Sequence, residues 1–262
     1  MLKLDFFARQ RLNATIILGA IAVLSYGAMI IAEYDVVKGF TSIPKAFQWL
    51  FDNFIPNEAA LERLPKILEK LQETVLVSIS SATVATVLGF AVAILGSNTT
   101  RINSGVSVFA RGIATIFRNI DVSAWALILL FSFGQSSFTG FFALFFVTFG
   151  FMVRVLIETI DEIGSEPVEA LRATGAGYLA IVTQAVIPSC IPQVVSWVLF
   201  MIETNIRSAT LVGILTGTGI GFSFDLYYKS MNYSAASLVI LVIVITVLII
   251  EFISNGIRRA IL

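Results

Sequence analysis

The chain contains no histidine and a single cysteine, Cys190, in 262 residues. These two absences remove disulfides, Cys/His zinc sites, Ser-His and Cys-His nucleophile pairs and axial-histidine haem, and with them most familiar enzyme chemistry. Charge is scarce as well. Asp, Glu, Lys and Arg make up 13% of the residues, and 17 basic side chains cancel 17 acidic ones. The basic residues are scattered in ones and twos rather than gathered into a stripe, which argues against nucleic acid as a partner. Cys190 lies between Pro188 and Pro192 at the start of an apolar run and reads as an inert packing residue.

What remains is apolar: 57% of the residues are hydrophobic and the mean hydropathy is +0.92. A bilayer core about 30 Å thick takes about 20 apolar residues per helical span, so this length allows at most about six spans. No room is left for a sizeable water-soluble catalytic domain. The expectation is an all-α, polytopic membrane protein with about six transmembrane helices.

Lys3, Arg9 and Arg11 precede an apolar stretch from Leu12 to Ala32, too long for a signal peptide and read as a retained first span. Residues 1–72 form an N-terminal part, because a polar segment, 33–72, follows that span. Within it Leu64, Ile67, Leu68 and Leu71 fall at helical spacing after Pro65, which predicts an amphipathic helix lying on the membrane. The transmembrane core, 73–262, starts with a Ser/Thr/Ala/Gly-rich span over 74–95. Residues 104–134 exceed one ideal span and include Arg111, Arg118 and Asp121, so this segment should bend or be shielded in a bundle. Phe141 to Ile157 forms the next span, and seven phenylalanines between 138 and 151 suggest a lipid-facing surface. A charged loop, 158–185, follows, then spans over about 185–206 and 234–253, separated by a Gly/Thr-rich stretch at 213–221. Basic termini place both ends and the loop 158–185 in the cytoplasm, with 33–72 and 222–232 outside. The five Lys/Arg of segment 33–72 weaken that orientation.

The charged loop carries a spaced motif. Glu166-Pro167 opens a helix with acids in its first turn, Gly175 can end it in a left-handed conformation, and a second helix follows to Pro188. The order Glu169-Ala170-Leu171, three residues, Gly175, then Ile187-Pro188 resembles the EAA motif of ABC importer permeases. Leu171, Ala185 and Ile187 depart from its usual Ala, Ile and Leu. A second stretch, Glu203-Thr204-Asn205-Ile206-Arg207-Ser208-Ala209-Thr210-Leu211-Val212-Gly213, resembles the E-x-N-x-R-S-A-T-x-x-G segment of phosphonate-type ABC importer permeases. Glu73-Thr74, Arg118 with Trp125-Ala126, and Gly213, Gly217, Gly219 and Gly221 extend the likeness over most of 73–259.

The resemblance implies a type I ABC importer permease fold with a cytoplasmic coupling helix, in the bacterial inner membrane. Glu169, Ala170, Leu171, Gly175 and Pro188 would then couple to ATPase subunits. The other implied partners are an extracytoplasmic binding protein and a second permease copy or paralogue. No cofactor or metal would be bound by this chain, ATP and Mg belonging to the ATPase. The cargo would be phosphonate, phosphite, phosphate or a related oxyanion. Two departures bear on which: Asp121-Val122 stands where the family usually has Pro-Glu, and Thr216 to Gly221 reads T-G-T-G-I-G in place of G-A-G-G-I-G.

Charges inside a membrane demand a reason, because an Arg at mid-bilayer costs about 2.5–3.5 kcal/mol on insertion scales. Arg118, Asp121, Glu203 and Arg207 should therefore face protein or a water-filled path. Arg118, Glu203, Asn205, Arg207, Ser208 and Thr210 are the candidate path residues. Glu203 and Arg207 at i,i+4 are equally open to a second reading, a structural pair that staples helices and touches no substrate. The same choice holds for Arg118 with Asp121. The glycines at 213, 217, 219 and 221 follow a span and lack a P-loop lysine, so they suit a turn or broken helix by the path rather than a nucleotide site. An ion-coupled secondary transporter of a small anion is the alternative function. A membrane-embedded enzyme is a third, weakened by the missing histidine.

Overall fold

In the computed structural model, which describes residues 6–163 and 165–261, the chain is helical throughout and falls into two compact units, 1–53 and 54–262. Lys3 lies outside the described residues. The first unit holds α1 (Phe6–Ile31) and α2 (Val36–Asn53). Helix α1 carries 25 consecutive span-quality residues, Phe7–Ile31, matching the expected first span. Helix α2 was not anticipated. Asp35 caps it by accepting from the Lys38 N–H at 3.0 Å, and Val36, Phe40, Ile43 and Phe47 recur along one side at helical spacing.

The second unit contains α3 (Glu58–Leu61), α4 (Leu64–Gly96), α5 (Ser104–Asn119), α6 (Val122–Phe133), α7 (Ser137–Ile163), α8 (Ser165–Ala173), α9 (Tyr178–Ile181), α10 (Ile187–Thr216), α11 (Gly219–Lys229) and α12 (Tyr233–Ile261). Helix α4 spans 33 residues, about 50 Å, and runs unbroken through position 72. Its first turns are therefore not a separate helix on the membrane surface. Ile67 is fully buried there, and Leu64 and Leu71 pack with it against Ile220 and Phe224 of α11 and Leu238 and Val239 of α12. The apolar spacing marks a buried face, and protein supplies its apolar partner.

Residues 104–134 bend as expected. Helices α5 and α6 meet at 90° around Ile120 and Asp121. Asp121 is the cap of α6, its carboxylate accepting from the Ser123 N–H at 2.8 Å. The elbow is braced by stacking: Phe117 lies 5.4 Å from Trp125, 5.0 Å from Phe146 and 5.8 Å from Phe149. Phe146 and Phe149 are thus half-buried against α5 and α6, and Phe151 stacks on Trp197 and Phe200 of α10. Of the seven phenylalanines expected at lipid, Phe138 is largely exposed and Phe141 and Phe145 are half-buried and stack on other rings of α7, while Phe142, Phe146, Phe149 and Phe151 pack within the bundle.

Contacts between helix ends fix the sense of each crossing. Glu73 near the start of α4 meets Ser137 at the start of α7, while Ser97 just past the end of α4 meets Asp161 near the end of α7. Helices α4 and α7 therefore run parallel, with the α5–α6 elbow as the return. Helix α10 then comes back to the first end, where Gly217 and Gly219 turn it into α11, and α12 departs from that end. Together with α1, the described residues supply up to six crossings when the bent α5–α6 pair counts as one, and the α8 end and the last turn of α12 share a side.

The second helix of the charged loop does not stop at Pro188. Helix α9 passes through a π-helical turn, Val182–Val186, directly into α10. The Ile187 N–H reaches back five residues to the Val182 carbonyl. Pro188 has no N–H to give, and the wider turn lies just before it.

Cysteines introduced one at a time at Glu58 and Glu169 in a Cys190→Ser background should react with membrane-impermeant reagent from opposite sides, position 58 from outside. Labelling of both from one side would contradict the crossing order.

Candidate functional site

At the first end, Glu73 and Thr74 of α4 hold the turn between α10 and α11. Thr74 Oγ1 accepts from the Ile220 N–H at 2.8 Å and donates to the Lys70 carbonyl at 3.0 Å. Glu73 accepts from Ser137 Oγ, pairs with Lys70 at 2.8 Å, and faces the Gly219 N–H. The first N–H groups of α11 have no partner inside their own helix, and Thr74 satisfies that of Ile220.

Glycine is required by this arrangement. Gly217 and Gly219 sit at φ +68° and +61°, a region that L side chains rarely adopt. Gly213 and Gly221 face each other where α10 and α11 cross, and a Cβ on Gly221 would collide with the Thr210 carbonyl. The four glycines form a tight, broken-helix turn, as expected. Beside it a small cleft is lined by Glu73, Val77, Gly140, Ala209, Gly213 and Thr218, among others.

The candidate path residues do not gather into one set. Asn205 is 3% exposed and turned inward, its amide donating to Ser81 Oγ of α4 at 3.2 Å and its carbonyl accepting from Thr148 Oγ1 of α7 at 3.0 Å. It ties three helices together and is not on an open surface of this chain. Arg207, with 51% of its side chain exposed, stands on the outside of α10 and pairs with Glu203 at 3.1 Å, while the Glu203 side chain is only 11% exposed. Ser208 and Thr210 are half-buried, and Thr210 Oγ1 has no hydrogen-bond partner. Arg118 is exposed at the last turn of α5; the 90° elbow separates it from Asp121, so their sequence spacing does not make an i,i+3 helical pair.

At the opposite end Gly175 adopts φ +79°, ending α8 as the sequence required. The Gly175 N–H donates to the Arg172 carbonyl and the Ala176 N–H to the Leu171 carbonyl. Val168 is buried at 1%, and with Leu171 and Ala176 it packs on the cluster formed by Leu156, Ile160, Ile181 and Val186. Glu169, Ala170 and Arg172 are left on the open side. Pro188, 13 residues beyond Gly175, lies in the first turn of α10 instead of in the α8 knob.

The sequence reading missed Asp161 as a junction. Its carboxylate accepts from Ser97 Oγ, from Asn98 Nδ2 and the Thr99 N–H at 3.1 Å each, and from Thr99 Oγ1 at 3.3 Å, and it pairs with Arg111 at 3.5 Å. The available signal was an acid at the end of one span and Arg111 in the previous one; nothing in the linear pattern linked them to residues 97–99.

The fold is an all-α bundle with a short exposed helix mounted between two spans. Two solved structures of the MetNI methionine ABC transporter in inward-facing conformations share it, with TM-scores of 0.66 and 0.68 at 23% and 20% identity, covering 75% and 79% of this chain and 96% and 99% of theirs. The family model described as the binding-protein-dependent transport system inner membrane component matches residues 85–262, and the chain belongs to that family. It is a multi-pass protein of the bacterial inner membrane and a transport subunit. Among relatives, a Stutzerimonas stutzeri protein named as a phosphite transport system permease, HtxC, is 26% identical over 262 residues, covering 99% of this chain and 90% of that protein. The phosphite transport system permease protein PtxC of the same organism is 27% identical over 192 residues, 73% of this chain and 70% of PtxC. The phosphate-import permease protein PhnE of Mycolicibacterium smegmatis is 26% identical over 190 residues, 72% of this chain but 36% of that longer protein.

Thr74→Val would strand the Ile220 N–H at membrane depth, a loss of about 1–3 kcal/mol. Gly221→Ala would push α10 and α11 apart. Both variants should lower the midpoint of thermal unfolding in detergent, whereas Thr83→Val on the exposed side of α4 should not.

Proposed function

We propose that this chain is the permease subunit of an ATP-driven importer for a small phosphorus oxyanion, phosphite, phosphate or a phosphonate, working as a pair with a second copy or close paralogue. The relatives named for phosphite transport and phosphate import support the cargo class. The observation that carries the reading for this chain is the half-exposed Arg207 guanidinium on the outer wall of α10. A lone bundle leaves that charge facing lipid at a cost of about 2.5–3.5 kcal/mol, whereas a second permease facing it would enclose a polar path.

In that path Arg207 guides the oxyanion. Its guanidinium offers a fork of donors matched to two oxygens of a tetrahedral anion, and Glu203 weakens the hold so that the anion is released onward. Affinity comes from an extracytoplasmic binding protein that delivers the cargo at the α10–α11 end. Energy comes from ATPase subunits that bind ATP and Mg²⁺ themselves and dock on Glu169, Ala170 and Leu171 of α8, with Gly175 setting the turn that presents them. Gly213, Gly217, Gly219 and Gly221 shape the outer wall of the path, and Arg118 and Ser208 lie along its margins.

Arg207→Gln in the assembled transporter should lower phosphite uptake into proteoliposomes strongly while complex yield and basal ATPase activity persist. If Glu203 and Arg207 only neutralise each other, the double change Glu203→Gln/Arg207→Gln restores uptake; the guide role predicts that it stays low.

Gly175→Val forces a β-branched residue into the left-handed region, where an L side chain costs about 1–2 kcal/mol. The coupling helix should then be misplaced, and the ATPase should dissociate or hydrolyse ATP without transport. Normal ATP-dependent uptake by this variant would refute the docking role of α8.

A further inference from the structure

The α8 helix is mounted on the membrane helices through apolar packing, but one polar link leaves it in another direction. Arg172, on the open side of α8, donates from Nη2 to the backbone carbonyl of Thr99 at 2.9 Å. Thr99 lies in the turn joining α4 to α5, far from α8 in sequence. The same residue donates its N–H and its hydroxyl to Asp161. Asp161 also holds Ser97 and Asn98 from the end of α4, and Arg111 from the second turn of α5. Arg111 in turn donates from Nε to the Gly96 carbonyl at 3.0 Å, and Ser107 Oγ donates to the same oxygen at 2.7 Å. One carboxylate at the end of α7 thus collects the last carbonyl region of α4, the connecting turn and the start of α5, and Arg172 fastens the coupling helix to the middle of that collection.

We infer that the α4–α5 turn, residues 97–103, is a second moving part of the transmission, driven by Arg172 on Thr99 and held to α7 by Asp161. The inference rests on the proposal that α8 is the ATPase dock. A push on α8 reaches α10 through the π-helical turn and reaches α4 and α5 through Arg172. Two outputs from one input would move α4 and the α5–α6 elbow together with α10. An isolated ion pair between exposed side chains would be too weak for this. The set of donors on Asp161 spans three elements, so displacing the turn requires giving up several bonds at once. Arg172 and Asp161 are positioning residues and touch no cargo.

The test uses the full transporter with Cys190→Ser and an environment-sensitive fluorophore on one new cysteine, either Arg101→Cys in the turn or Glu166→Cys on α8; both positions are exposed and outside the network. On addition of ATP with vanadate, both labels should change emission in the parent. In Arg172→Gln the α8 label should still respond, the ATPase should still copurify and hydrolyse ATP, and the response at position 101 should be lost. Arg172→Lys, which keeps a donor and the charge, should restore it, and Asp161→Asn should abolish it as Arg172→Gln does. An unchanged response at 101 in Arg172→Gln would overturn the inference. Loss of the ATPase from Arg172→Gln would also overturn it, because Arg172 would then belong to the docking contact. A silent α8 label in the parent, by contrast, would remove the docking proposal itself.

Discussion

Hydrocarbon offers no hydrogen bonds, and every polar group this chain carries into the membrane has to be answered by the chain itself or by a partner. The structure meets that constraint with two carboxylates at opposite ends of the parallel pair α4 and α7. At one end Thr74 answers the Ile220 N–H where α10 breaks into α11, and Glu73, held by Ser137 and Lys70, faces the Gly219 N–H beside it. Asp161 answers the donors exposed where α4 ends and α5 begins. Between them Asn205 bridges Ser81 and Thr148 in a core otherwise made of small and apolar side chains.

This distribution allows a permease to be stiff along the parallel pair α4 and α7 and jointed in the elements around it. The joints are recognisable by local departures from α-helix: the 90° elbow capped by Asp121, the π-helical turn ahead of Pro188, the left-handed glycines at 175, 217 and 219. Each is stabilised by a specific side chain or by the absence of one. The transport reading needs such an arrangement, because motion of a cytoplasmic ATPase must reach a path on the far side without melting the helices in between.

Much of this was legible in the sequence, since hydropathy alone marks the spans and since Gly175 and the glycines from 213 to 221 require the backbone they adopt. The elbow was foreshadowed by a segment too long for one span with Asp121 inside it. What could not be read was the partner of each feature. Leu64, Ile67 and Leu71 have a spacing that suits a membrane surface and protein equally, and they found α11 and α12. The phenylalanines of α7 look lipid-facing in isolation, yet aromatic rings also stack, and Phe117 and Trp125 were available. Asn205 and Arg207 are two apart, which on a helix turns them about 200° from each other, so a motif read as one donor set is divided between core and surface. Asp161 was hidden for a related reason: its partners lie 50 to 64 residues away.

As proposed, the chain is one half of a path powered from outside itself, and its energy source tests this most directly. In proteoliposomes holding the permease with its ATPase and binding protein, uptake of labelled phosphite or methylphosphonate should require ATP and both partners and should persist when a protonophore collapses the proton gradient. Uptake by the permease alone, driven by an imposed proton or sodium gradient and indifferent to ATP, would contradict it.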